Sequence, residues 1–263
     1  MMQTNTLNPL SGMRIVITRP RESTDVFSEK LRALGATPIE LAAIEIAPPT
    51  DFSSLDRAIH DIGSYDWIVF TSVHGVEFFE KRLTALGLSW KDVGSAKVAA
   101  VGSATASMLE RNGRRADFLP TEFLTEKVAD GLGNVKGKRL LLPRTNVASK
   151  KLPELLRGRG AVVDEIVAYR TLIPSDLSEE RIQSVFKMGV DLVTFTSPST
   201  VRNLAQVLGE NELATLLKET KVACIGPVTM EAVKELGVNV NVVAMTHTID
   251  SLVEAIVNEI RTV

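Results

Sequence analysis

The sequence predicts an α/β protein made of two similar parallel-sheet domains from an internal duplication. Three observations predict it. The chain contains itself twice: Val69-Phe70-Thr71-Ser72 returns as Thr194-Phe195-Thr196-Ser197, with Phe70 and Phe195 125 residues apart. At the same offset Gly12, Arg14 and Arg19 match Gly137, Arg139 and Arg144, while Arg32, Gly35 and Ala36 match Arg157, Gly160 and Ala161. One residue out of that offset, Lys97-Val98-Ala99-Ala100-Val101-Gly102 returns as Lys221-Val222-Ala223-Cys224-Ile225-Gly226, and Thr105 as Thr229. A single repeat of domain length means two similar globular units. Second, short β-branched runs alternate with amphipathic segments, the pattern of parallel βα units. Third, almost every strong strand runs into a turn rich in Ser, Thr, Gly or Arg and then a helix start.

The strands expected are Arg14–Thr18, Trp67–Thr71, Val98–Val101, Arg139–Leu142, Leu192–Thr196 and Val222–Ile225, with weaker candidates at Ala116–Leu119 and Val240–Val243. The strong ones are almost wholly apolar, as central parallel strands covered on both faces should be. Helices are expected over Glu22–Leu34, Val73–Leu86, Ser103–Asn112, Phe123–Leu132, Ser149–Arg157, Glu179–Phe186, Pro198–Leu208, Val228–Leu236 and Thr248–Ile260. Gly35, Gly87, Gly113 and Gly237 sit just past several of them, the usual C-terminal position. Two stretches break the alternation. Ile39–Ala47 and Asp164–Ile173 are long extended segments at matching repeat positions, each closing in proline, and they read as paired linkers. The chain would then leave its first domain after one βα unit, build the second, and return; a tandem split near Gly133 also fits the repeat.

Composition narrows the function classes. The 263 residues are 44% hydrophobic and 24% charged, enough apolar residues for two cores. A net charge of −2 provides no global attraction to nucleic acid or to an anionic membrane, so neither is expected as a partner. A single cysteine excludes an internal disulfide framework and fits a reducing compartment. With no basic-then-apolar leader and no run near the ~18 apolar residues of a membrane span, a cytoplasmic protein is expected.

In open α/β sheets the ligand lies beyond the carboxyl ends of the strands. Helix N-terminal amides there carry partial positive charge and bind anions. The turns at that rim read Thr18-Arg19-Pro20, Thr71-Ser72, Gly102-Ser103-Ala104-Thr105, Pro143-Arg144-Thr145, Thr196-Ser197-Pro198 and Gly226-Pro227-Val228-Thr229. They suit a ligand with several carboxylates or phosphates. Taken singly, each Ser, Thr or Gly is also an ordinary N-cap, and Arg19 and Arg144 could be solvated loop charges. Tyr169 aligns with Ile44, so one copy carries a phenol and the other does not. His60, His74 and His247 show no metal spacing. Cys224 lies inside an apolar strand and reads as core. Gly131-Leu132-Gly133-Asn134-Val135-Lys136-Gly137 precedes a strand instead of following one, so it is no dinucleotide loop.

In this order the turns resemble the uroporphyrinogen-III synthase family over nearly the whole chain. The resemblance rests on Val16-Ile17-Thr18-Arg19-Pro20, Phe70-Thr71-Ser72 with Gly75-Val76, Val101-Gly102 with Thr105, Ala168-Tyr169-Arg170-Thr171, Phe195-Thr196-Ser197-Pro198 with Val201, and Ile225-Gly226-Pro227 with Thr229. It implies two flavodoxin-like parallel-sheet domains joined by a two-stranded linker. Domain 1 would be residues 1–40 with 172–263, domain 2 residues 49–165, and the linker strands 41–48 and 166–171. It implies cyclisation of linear hydroxymethylbilane, a tetrapyrrole with eight carboxylates, to uroporphyrinogen III, with inversion of the last pyrrole and loss of water, in tetrapyrrole (heme) biosynthesis. No cofactor and no metal are expected.

By the same resemblance Tyr169 is the catalytic residue, a proton donor to the departing hydroxyl. Arg19, Ser72, Gly102, Ser103, Thr105, Arg144, Ser197, Gly226, Pro227 and Thr229 would bind substrate. The expected partner is the tetrapyrrole itself, held by a monomer in transient contact with hydroxymethylbilane synthase. From the residues alone, a non-catalytic two-domain binding protein or a regulator for a small polyanion also remains open; the unrepeated Tyr169 favours an enzyme.

Overall fold

Two five-stranded sheets run through the described residues. The computed structural model describes residues 8–21, 24–122 and 125–262, so the expected helix starts at Glu22 and Phe123 lie outside the described residues. One compact unit comprises Met1–Glu45 and Leu172–Val263, the other Ile46–Thr171.

Unit 1 opens with β1 (Arg14–Ile17), α1 (Asp25–Ala33) and β2 (Thr37–Glu40). It resumes with α7 (Glu179–Lys187), β8 (Leu192–Phe195), α8 (Pro198–Leu208), α9 (Glu210–Lys218), β9 (Lys221–Cys224), α10 (Pro227–Lys234), β10 (Val242–Val243) and α11 (Ile249–Thr262). The intervening elements are β3 (Glu45–Ala47), which pairs into the unit 2 sheet, α2 (Ser53–His60), β4 (Trp67–Phe70), α3 (Val73–Ala85), β5 (Lys97–Ala100), α4 (Ser103–Arg111), α5 (Thr125–Gly131), β6 (Arg139–Thr145), α6 (Lys151–Gly158) and β7 (Val162–Leu172).

The unit 1 sheet runs β2-β1-β8-β9-β10, with parallel neighbours. Numbered along the chain this is 2-1-3-4-5, the flavodoxin order, whose crevice lies where the winding reverses, between β1 and β8. The repeat relates β1 to β6, β2 to β7, β8 to β4 and β9 to β5. The second sheet, β3-β7-β6-β4-β5, is therefore the same order with its chain start moved and β3 added beside β7. The weak strand expected at Ala116–Leu119 is a single parallel bridge from Phe118 to Ala99.

Each sheet is buried on both faces, which is why its central strands read as apolar runs. Along β1, Val16 packs into one core of unit 1 while Ile15 and Ile17 pack into the other. Along β4, Ile68 and Phe70 face one core of unit 2 and Val69 the other. The strand starts are duplicated in detail. Asp191 accepts from the Arg14 amide at 2.7 Å, and its repeat counterpart Asp66 from the Arg139 amide at 2.9 Å. Replacing Asp191 with alanine is expected to destabilise unit 1 by about 1 kcal/mol, the net worth of one such bond. An unchanged urea midpoint would show that water satisfies that amide equally well.

Several expectations need correction. Ile39–Ala47 is not one extended segment: β2 stops at Glu40 and β3 begins at Glu45. Asp164–Ile173 lies almost wholly within β7, which pairs with β6 from Val162 to Tyr169 and so belongs to a sheet. The helices α2 and α9 were not expected. Both are short, and their stability comes from buried faces, Leu55, Ala58 and Ile59 in one and Leu213, Ala214 and Leu217 in the other, because helices of this length are marginal alone. No helix among the described residues is long and apolar enough to cross a membrane.

Candidate active site

Tyr169 sits near the carboxyl end of β7, and a shift in strand register helps to place it. Arg144 pairs with Val167, but the next residue, Thr145, pairs with Tyr169, so Ala168 is the extra residue of a bulge. Successive strand residues normally face opposite sides. Here Ala168 and Tyr169 join the same core cluster, the kind of re-aiming that bulges provide.

Only 5% of Tyr169 is exposed. Its ring stacks on Phe78 at 5.8 Å and lies 5.7 Å from His74, both on α3. Its hydroxyl is 3.0 Å from Ser72 Oγ. Burial raises the phenol above its ordinary pKa of 10.0, although the Ser72 hydrogen bond and the Arg144 charge pull the other way. The phenol is thus a protonated, buried donor at neutral pH.

Ser72 is the N-cap of α3, and its Oγ accepts from the Gly75 amide at 3.0 Å. The glycine occupies a tight place: a Cβ at Gly75 would lie 3.1 Å from the Pro143 carbonyl and 3.2 Å from Ser72 Oγ, so a larger residue would make these neighbours give by a few tenths of an ångström. Arg144, the next residue on β6, is buried and donates from Nη1 to Glu165 at 2.9 Å, while its buried Nε has no partner. Burial lowers the guanidinium pKa and Glu165 opposes the change. Lys150 approaches the same carboxylate at 3.0 Å from the surface. Beyond them the Thr145 and Thr171 hydroxyls meet at 2.8 Å, and Asn146 Oδ1 accepts from the Thr171 amide at 2.8 Å.

The other residues of the unit 2 rim are dispersed. Gly102 is the N-cap of α4, and Ser103 is exposed in its first turn. Thr105 is only 4% exposed, which turns it toward the protein interior.

In unit 1 the threonines at the crevice lock the strands together. Thr18 donates to the Thr194 carbonyl at 2.8 Å, and Thr194 to the Val16 carbonyl at 2.9 Å. Ser197 caps α8 as Ser72 caps α3, accepting from the Thr200 amide at 3.3 Å. Arg19 follows β1 and is partly buried, which lowers its guanidinium pKa. Pro227 is exposed at the first position of α10, Gly226 precedes it as N-cap, and Thr229 is 3% exposed. Gly226 has a packing reason of its own, since a Cβ there would meet the His247 ring at 2.5 Å. Ile44, the counterpart of Tyr169, is buried.

The structure therefore brings Ser72, Arg144 and Tyr169 together in unit 2, and places Arg19, Ser197, Gly226, Pro227 and Thr229 on unit 1. Glu165, His74 and Phe78 were missed in the sequence. Glu165 offered one signal, its place four residues before Tyr169 on a strand facing Arg144.

The fold and these rims define a duplicated, doubly wound α/β protein with helix N-termini, hydroxyls and one buried phenol at the strand ends. Residues 25–254 match the family model of uroporphyrinogen-III synthase HemD. A uroporphyrinogen-III synthase from Synechococcus elongatus is 36% identical over 94% of this chain and 96% of its own length. A porphyrin biosynthesis protein HemD from Ruminiclostridium josui is 33% identical over 94% of this chain, which spans 48% of that protein. A crystal structure of a mutant uroporphyrinogen III synthase from Thermus thermophilus shares the fold with a TM-score of 0.74 at 20% identity, over 96% of this chain and 100% of that one. The chain belongs to the uroporphyrinogen-III synthase family, cyclising lyases of tetrapyrrole biosynthesis.

Proposed function

We propose that this chain closes linear hydroxymethylbilane to uroporphyrinogen III, with Tyr169 as the proton donor to the departing hydroxyl. The observation that carries the assignment is the buried, unrepeated phenol hydrogen-bonded at 3.0 Å to the cap of α3. Protonation turns the hydroxyl into water, and its departure leaves an azafulvenium that the terminal pyrrole attacks. General-acid help of this kind is worth ~10²–10⁴ in rate. Holding the chain in a reactive geometry supplies much of the rest.

The carboxylates are assigned to dispersed donors: the amides at the N-termini of α4, α8 and α10, the side chains of Ser103, Ser197 and Arg19, and the backbone amides of Gly102 and Gly226, while Pro227, which has no N–H to give, sets the first turn of α10. Helix N-termini favour anions at such places. Thr105 and Thr229 are buried in the first turns of α4 and α10. Because the load is spread, Ser197→Ala should weaken uroporphyrinogen III binding by about 0.5–1.5 kcal/mol, measured by calorimetric titration. Abolished binding in a folded variant would reveal one dominant contact instead.

The chain is proposed to act as a cytoplasmic monomer that receives its unstable substrate in transient contact with hydroxymethylbilane synthase. Its only cysteine is buried in β9, which suits a reducing compartment. Incubation with fresh hydroxymethylbilane, followed by separation of isomers I and III, tests the function. Isomer I alone, at the rate without protein, would overturn it.

A further inference from the structure

The protons around Ser72 can be counted. A serine hydroxyl has one proton to give and two lone pairs to receive. One lone pair of Ser72 takes the Gly75 amide, and the Tyr169 oxygen lies 3.0 Å from the same Oγ. No other hydrogen bond of Ser72 Oγ is described. If Tyr169 donated to Ser72, the serine would hold two incoming protons and have no described acceptor for its own. If Ser72 donates to Tyr169, the phenol's own proton is the one left uncommitted among the described residues; each direction uses one proton of the pair, and only this one leaves the phenol free to donate to a substrate.

We propose that Ser72 is a positioning residue for the reaction, donating its proton into the Tyr169 oxygen so that the phenol presents its own proton to the substrate. The inference rests on Tyr169 being the proton donor. In the step itself the phenol O–H bond breaks and its proton joins the substrate hydroxyl. The carbon–oxygen bond then breaks and water leaves with the bonding pair. The oxygen left on Tyr169 is negative, held by the Ser72 O–H at the positive end of α3, a helix of 13 residues, where an anion is favoured. The proton lost from the pyrrole at ring closure restores the phenol, so the sum is loss of one water.

The repeat separates this role from capping. Ser197 caps α8 through the Thr200 amide in the same conformation, φ −159° and ψ 155° against −155° and 155° for Ser72. Its copy of the fold carries Ile44 where unit 2 carries Tyr169. Capping is thus common to both serines, and the hydrogen bond to a phenol belongs to Ser72 alone. The register shift between Arg144 and Thr145 lies on the strand pair that delivers that phenol.

A double-mutant cycle tests the proposal, with kcat, KM and thermal midpoint measured for Ser72→Ala, Tyr169→Phe, their combination, and Ser72→Thr. Ser72→Ala should lower kcat for isomer III roughly tenfold, equivalent to about 1.4 kcal/mol, with KM within about twofold. In the Tyr169→Phe background the same change should have no further effect on kcat, because the group it acts through is gone. Ser72→Thr keeps both the hydroxyl and the cap and should restore kcat to within about threefold. Equal losses in both backgrounds, or a lowered midpoint with unchanged kcat, would overturn the positioning role and leave the proton-donor reading standing. A Tyr169→Phe enzyme with normal kcat would remove that reading, and this inference with it.

Discussion

Tyr169→Phe should slow isomer III formation by about a hundredfold, the lower end of what a lost general acid costs, while KM and affinity for uroporphyrinogen III change little. The reasoning is geometric. The phenylalanine ring keeps the stacking on Phe78 and the contact with His74, so the packing of β7 against α3 survives. What disappears is the oxygen and its proton. An interaction used only in the transition state lowers kcat and kcat/KM together. Burial holds the phenol above its ordinary pKa of 10.0, so the wild-type rate should show no alkaline limb from this group below about pH 10. A variant that turns over normally but melts earlier would make Tyr169 a structural aromatic.

Much of the architecture was legible because parallel sheets write themselves plainly. A strand such as β8, buried at every position from Leu192 to Phe195, is an almost wholly apolar run with no alternation, and caps such as Ser72 and Ser197 mark where the next helix begins. The duplication was legible for the same reason, since both copies must bury the same faces. What escaped depends on tertiary contacts. Ser53–His60 does carry Leu55, Ala58 and Ile59 at helical spacing, but over only two turns, too short a pattern to stand out before the core it meets is known.

At the site, Ser72 and Tyr169 could be named separately, but not their contact. They are 97 residues apart, and the phenol's direction depends on a one-residue register shift. Arg144 was read as an anion donor because its loop position was visible and its partner was not. Glu165 lies on the adjacent strand, two residues before the Val167 that pairs with Arg144, and occupies Nη1. Gly226 was read as a ligand-binding amide, and the structure adds the packing of His247 against its Cα. Sequence reveals which groups reach the rim more readily than which of them are already engaged there.

Glu165→Gln is the second change with a large expected effect, about 3–5 kcal/mol of lost stability in unit 2. The Arg144 side chain is 7% exposed and that of Glu165 15%, so the pair is screened little by water. The guanidinium already carries one unpartnered buried nitrogen, Nε. Neutralising Glu165 leaves its charge without a counterion in low dielectric, where an unpaired ion costs far more than the pair contributes. Lys150 reaches the same carboxylate with a side chain 68% exposed, and Lys150→Ala should cost less than about 1 kcal/mol. Replacing both buried partners, as Arg144→Met with Glu165→Leu, should recover most of the loss, because shape is kept and no charge is stranded. Both tryptophans, Trp67 and Trp90, lie in unit 2, so tryptophan fluorescence in urea follows that unit selectively while circular dichroism follows the whole chain. If the fluorescence midpoint of Glu165→Gln stays at the wild-type value, the Arg144 charge is solvated after all, and the ion pair is no more than a surface contact.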